Sequence, residues 1–99
     1  MLHTVNKSPF DHNTFETCLK FARSGSAVLL IEDGVYAAVR DTAVSKQVQE
    51  ALKSVSIYAL KPDVEARGMQ DRVMDGVRLV DYGGFVDLVA EHNAVQSWF

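Results

Sequence analysis

Five consecutive aliphatic residues, Ala27-Val28-Leu29-Leu30-Ile31, constrain this chain more than any other feature. The run falls well short of the roughly 20 apolar residues that a membrane helix needs. It stops at once in Glu32-Asp33-Gly34. Its length is that of a strand, and a strand with no polar alternation is expected to be covered on both faces. The flanking sequence therefore has to supply amphipathic helices.

It does so on both sides. Phe15, Cys18, Leu19 and Ala22 fall at i, i+3, i+4 and i+7, one apolar helical face, with Glu16 and Lys20 paired on the wet side. Asn13 is the expected cap, Glu16 completes a capping box, and Ser24-Gly25 ends the helix. Val35–Val39 reads as a short helical turn. A second helix opens at Thr42 and turns Val44, Val48, Ala51 and Leu52 inward. Pro62 suits the first position of a third helix, which Gly68 terminates. Asp81 or Tyr82 opens a last one, with Phe85, Leu88, Val89 and His92 as its inner face.

Met1–Val5, Ser56–Leu60 and Val77–Val80 read as further strands, and the mostly apolar tail Ala94–Phe99 as a fifth, at an edge. Strands alternating with helices predict an α/β fold, a three-layer α/β/α sandwich on a mostly parallel sheet of four or five strands. No linker or repeat divides residues 1–99, so one domain is expected. A domain this short leaves much of its surface uncovered and gains from association with partners.

Composition removes several functions. Hydrophobic residues make up 47%, too many for a disordered chain. The net charge is -3 and the ten Lys and Arg residues form no stripe, so direct binding of nucleic acid is not expected. With one cysteine there is no internal disulfide. The start of the chain has no secretory pattern, and a reducing, cytoplasmic location with no membrane attachment is the expectation.

In open α/β sheets, sites gather beyond the carboxyl ends of the strands. Those ends carry Asn6-Lys7-Ser8, Glu32-Asp33-Gly34, Lys61 and Asp81-Tyr82, all of which also serve as ordinary turn and cap residues. Gly83-Gly84 lacks the third glycine of a dinucleotide fingerprint, and no phosphate loop with its lysine exists. His3, His12 and His92 stand apart, without the spacing of metal ligands, and His92 suits the negative end of a helix. Neither a cofactor nor a metal is expected. Ser8, His3 and Asp33 can be combined on paper as a hydrolytic set, but nothing in the sequence ties them together.

Cys18 remains. Its spacing places it on the buried face of its helix, where a free cysteine is commonly an inert core residue. A lone thiol can also hold a persulfide. That use needs a thiolate that attacks the outer sulfur of a donor, which positive charge and partial exposure favour. Lys20 points largely away on a helix, and the second turn receives little of the dipole. The spacing leaves both uses open.

Several stretches resemble one family. Leu2-His3-Thr4-Val5-Asn6-Lys7-Ser8-Pro9, Leu29-Leu30-Ile31-Glu32-Asp33-Gly34-Val35-Tyr36-Ala37-Ala38, Tyr58-Ala59-Leu60 and Asp63 to Gly68 are similar, in order and spacing, to the DsrH/TusB family. Asp81 to Leu88 and Val95-Gln96-Ser97-Trp98 extend the likeness to nearly the whole chain. The resemblance implies a DsrE-like fold and a non-autonomous subunit of a cytoplasmic heterohexamer that relays persulfide sulfur. Its implied partners are DsrE-like and DsrF-like subunits and a DsrC-like or TusE-like carrier. The main acceptor cysteine of such complexes belongs to the DsrE or TusD subunit. DsrH proteins carry a cysteine in the region of the first helix, where Cys18 stands, whereas some TusB proteins lack it. That favours a DsrEFH-type complex of sulfur oxidation, with Cys18 as an accessory persulfide site. The alternatives are a TusB-like subunit feeding 2-thiolation of the tRNA wobble uridine, or a purely structural subunit. Trp98 and Phe99 could anchor a subunit interface or close the domain's own core.

Overall fold

The computed structural model describes residues 1–99. Five strands, β1 (Leu2–Val5), β2 (Ala27–Leu30), β3 (Ser56–Leu60), β4 (Arg78–Val80) and β5 (Val95–Trp98), form one sheet in the order β4-β3-β2-β1-β5. Every pairing within it is parallel. The helices are α1 (Thr14–Phe21), α2 (Ser45–Ala51), α3 (Lys61–Ala66) and α4 (Tyr82–Glu91), with 3-10 turns at Glu32–Ala38 and Gln70–Arg72.

Handedness explains the layers. Three successive crossovers step from β1 out to β4, and right-handed connections in one direction place α1, α2 and α3 on one face. The fourth steps back across the sheet to β5, which puts α4 on the other face. The core divides the same way, because alternate strand residues point to opposite faces. Val5, Val28, Leu30, Ile57 and Ala59 pack with Phe15, Cys18, Val48 and Val64. Leu2, Ala27 and Leu29 meet Leu88 of α4 on the second, thinner side. All four residues of β2 are buried, as the aliphatic run requires.

Several local expectations change. Asn13 makes no side-chain cap bond, and its φ of -94° and ψ of 11° are not the extended geometry in which an N-cap side chain reaches the helix. The capping box with Glu16 is therefore absent. Helix α1 ends at Phe21, before Ser24-Gly25, because Ala22 is already extended with ψ 121°. Thr42 stands a turn ahead of α2: its amide donates to Ser45 Oγ at 2.8 Å, and its own Oγ1 accepts from Val44 N at 3.3 Å. In α4, Asp81 caps as expected, accepting from Gly84 N at 2.8 Å. Val89, read as inward, is 39% exposed. His92 turns back on its own helix, with Nδ1 2.7 Å from the Leu88 carbonyl oxygen.

The turn after β2 is held against β1. Gly34 lies so close to the end of β1 that an added Cβ would collide with the Val5 carbonyl. A side chain is excluded there, and this contact fixes where Glu32, Asp33 and Tyr36 stand.

Candidate functional site

Cys18 is fully buried, in the larger core cluster with Phe15, Val5 and Val28. Burial pushes its thiol up to about 12. At neutral pH the thiolate is then only about one part in 10⁵. No basic residue offsets this. Lys20 is turned to solvent and pairs with Glu16 at 3.7 Å, and Arg23 is exposed beyond the helix end. In this fold Cys18 behaves as a small apolar side chain.

A polar cluster forms instead at the carboxyl ends of β2 and β3. Arg67 Nη2 and Nε donate to Asp33 Oδ1 at 2.8 and 3.1 Å, and Arg67 Nη1 donates to the Asp63 carbonyl at 3.0 Å. The Arg67 guanidinium carbon stands 6.0 Å from the centre of the Tyr36 ring. Asp63 in turn accepts from the Glu32 amide at 2.7 Å. Glu32 has a φ of 50°, in the left-handed region that a non-glycine residue adopts at a cost. The carboxylate of Asp63, at the start of α3, holds it there. The hydrogen bond to Asp33 raises the Arg67 pKa further above its ordinary value.

This cluster joins the Glu32–Ala38 and Asp63–Gly68 blocks, with a role for Arg67 that spacing alone did not assign. The available signal was opposite charge on two motif blocks that each follow a strand. Each of the three guanidinium nitrogens of Arg67 already donates to an acceptor within the cluster. It fastens the turn after β2 to α3 across the carboxyl edge of the sheet. Replacing Arg67 by Ala should cost about 1 kcal/mol, since the pair is partly solvated. A urea midpoint unchanged within error would show that the clasp contributes nothing.

The remaining strand-end residues do not gather. Ser8 Oγ accepts from Phe10 N at 3.2 Å in its own turn, and Asp33 is taken up by Arg67. His3 accepts at Nδ1 from Trp98 Nε1 at 3.0 Å. Ser8, His3 and Asp33 are thus engaged in three different places, and the hydrolytic set is not assembled. Lys61 begins α3 in an exposed position. Asn6 Oδ1, at the end of β1, is buried without a partner in the chain. No group of three His, Cys, Asp or Glu residues stands together as metal ligands would, and no helix is long and apolar enough to cross a membrane.

The His3–Trp98 bond has a pH signature. An indole N–H only donates, so His3 must be neutral at Nδ1. Desolvation lowers its pKa below 6.5. A depressed histidine contributes stability that is fully present above pH 6.5 and declines as pH falls through the folded-state value. Wild type should lose stability below that pH, whereas His3→Gln, which can still accept from Trp98, should lose less. Parallel profiles of urea midpoint against pH for the two proteins would refute this.

A wholly parallel sheet, a clasped carboxyl edge and a sealed thiol define an α/β module of one five-stranded sheet. Residues 7–95 match the model of the family described as DsrH like protein. The chain is 38% identical over 98 residues to Protein TusB of Pectobacterium parmentieri, covering 99% of this chain and 100% of that one. Protein TusB of Escherichia coli O81 is 34% identical over the same span. The crystal structure of the ychN protein from E. coli superposes with a TM-score of 0.81 at 18% identity, covering 97% of each chain. A protein of unknown function from Methanobacterium thermoautotrophicum gives 0.73 at 21% identity, covering 97% of this chain and 96% of that one. These two likenesses concern the fold. The chain belongs to the DsrH/TusB family.

Proposed function

We propose that this chain is a structural subunit of a cytoplasmic sulfur-relay assembly that feeds 2-thiolation of the tRNA wobble uridine. In this reading the whole chain acts as one domain. It completes an assembly with two homologous subunits and shapes the surface on which the sulfur carrier docks. Persulfide sulfur passes through a cysteine of a companion chain, and Cys18 is packing. The observation that carries the reading is the burial of Cys18 in a chain that aligns end to end with proteins named TusB. The sulfur-oxidation reading drew its preference from the presence of a cysteine in the first helix; relatives at 34–38% identity that are named TusB favour the tRNA-thiolation reading instead.

The test is made in cells. Deleting the gene should abolish 2-thiouridine in the affected tRNAs, as read by mass spectrometry of nucleosides. Complementation with Cys18→Ala should restore it to the wild-type level. Loss of thiolation with Cys18→Ala in a normally assembled complex would make Cys18 a carrier. Unchanged thiolation in the deletion strain would dispose of the relay role.

A further inference from the structure

Trp98 of β5, Phe21 at the end of α1 and the turn that follows it enclose an open groove of about 560 Å³ that none of the foregoing uses. Its apolar wall is the Phe21 ring, 68% exposed, stacked on Trp98 with centroids 5.8 Å apart. Its polar side is a set of donors. His3 is only 4% exposed, and because Nδ1 accepts from Trp98, the ring hydrogen is on Nε2. That N–H has no partner in the chain, and His3 lines the groove. Arg23 lines it too, exposed and in none of the chain's four ion pairs. No aspartate or glutamate is among the lining residues. In a chain of net charge -3, this is a place that attracts a carboxylate.

The second observation is the strand beside it. β5 is an edge of the sheet and pairs with β1 alone. The register turns the amides and carbonyls of Val95 and Ser97 outward, away from β1. Val95–Trp98 has no lysine, proline or charge to discourage another strand. A strand laid on this edge would present every second side chain on the face of Gln96 and Trp98, over the groove.

We propose that β5 and its groove take up an extended segment of a partner polypeptide. Its backbone lengthens the sheet, an acidic side chain lies against Arg23 and His3, and an apolar one two residues away packs on Phe21 and Trp98. This rests on the relay-assembly reading and deepens it by naming one face through which a partner is held.

The test uses the complex with the two homologous subunits and, separately, the free chain. In the complex, amide exchange at Val95 and Ser97 should slow by about tenfold or more. Arg23→Glu should weaken association by about tenfold with an unchanged circular dichroism spectrum. Unchanged exchange and association in a complex that does form would overturn the groove and leave the relay reading standing. Failure of the complex to form would overturn the relay reading, and the free chain then decides the groove. There the probe is a pair of end-blocked peptides, Ac-Val-Asp-Val-Phe-Val-NH2 and the same sequence with lysine for aspartate. Both lack tryptophan, so Trp98 fluorescence reports binding. Preference for the acidic peptide by about fivefold or more, reversed in Arg23→Glu, supports the site, and equal or absent binding overturns it.

Discussion

In the native chain, Cys18 should react with a thiol reagent at pH 7.5 roughly a thousandfold more slowly than the same thiol in urea. Two effects combine. The thiolate is scarce because burial pushes the group to about 12. The sulfur also has no exposed surface, so reaction waits for α1 to lift from the sheet. That opening exposes Phe15, which shares the α1 face and is 1% accessible. Substitution should separate packing from chemistry. Cys18→Ala leaves a small void and should cost about 1 kcal/mol. Cys18→Ser puts a hydroxyl into a dry core and should cost about 1–3 kcal/mol. Rapid labelling of folded protein, with amide exchange in α1 still protected, would mean that the sulfur is reachable and would reopen the persulfide role.

Gly34→Ala should be the most damaging single methyl group in the molecule. The new Cβ would meet backbone, the Val5 carbonyl, rather than a side chain that can swing aside. We expect a loss of about 3 kcal/mol. In a domain of this size that is a fall in Tm of about 15 °C. Gly25→Ala is the internal control. Gly25 has φ +89° but open space around its would-be Cβ, so only conformational strain is charged, about 1 kcal/mol. Equal losses at the two glycines would show that the turn after β2 can move away from β1, and that the clasp with Arg67 does not hold it. The damage should extend beyond stability. Tilting this turn would displace Asp33 from Arg67 and release the Glu32 amide from Asp63.

The layering was legible because it depends on patterns that tertiary contacts do not override. Val28 and Leu30 face one layer, Ala27 and Leu29 the other, and an uninterrupted aliphatic run permits no other arrangement. The apolar spacing of Phe15 and Cys18 likewise survived folding. Helix ends were less legible. Asn13 has the right side chain for a cap, but backbone angles decide whether the cap forms, and these depend on how the preceding loop leaves β1. Val89 satisfied the inward spacing yet is left bare, since the outer layer is one helix against five strands and cannot bury both its flanks. The site was the hardest part. Arg67 and Asp33 lie 34 positions apart, and their meeting depends on strand order, which no local pattern encodes. The exposure of Cys18 was equally beyond reach, because the periodicity that made it interesting also described a core residue.

The pairing of β1 with β5 has a consequence for how the molecule is made. Thr4 and its hydrogen-bond partner Ser97 are 93 positions apart, so β1 gains its second neighbour only after nearly all of the described chain has been synthesised. Long loops of this kind are costly to close and slow to find. A nascent polypeptide interrupted before Val95 would leave β1 with a bare flank and three strands already stacked on its other side. Such a fragment should be a substrate for chaperones or proteases.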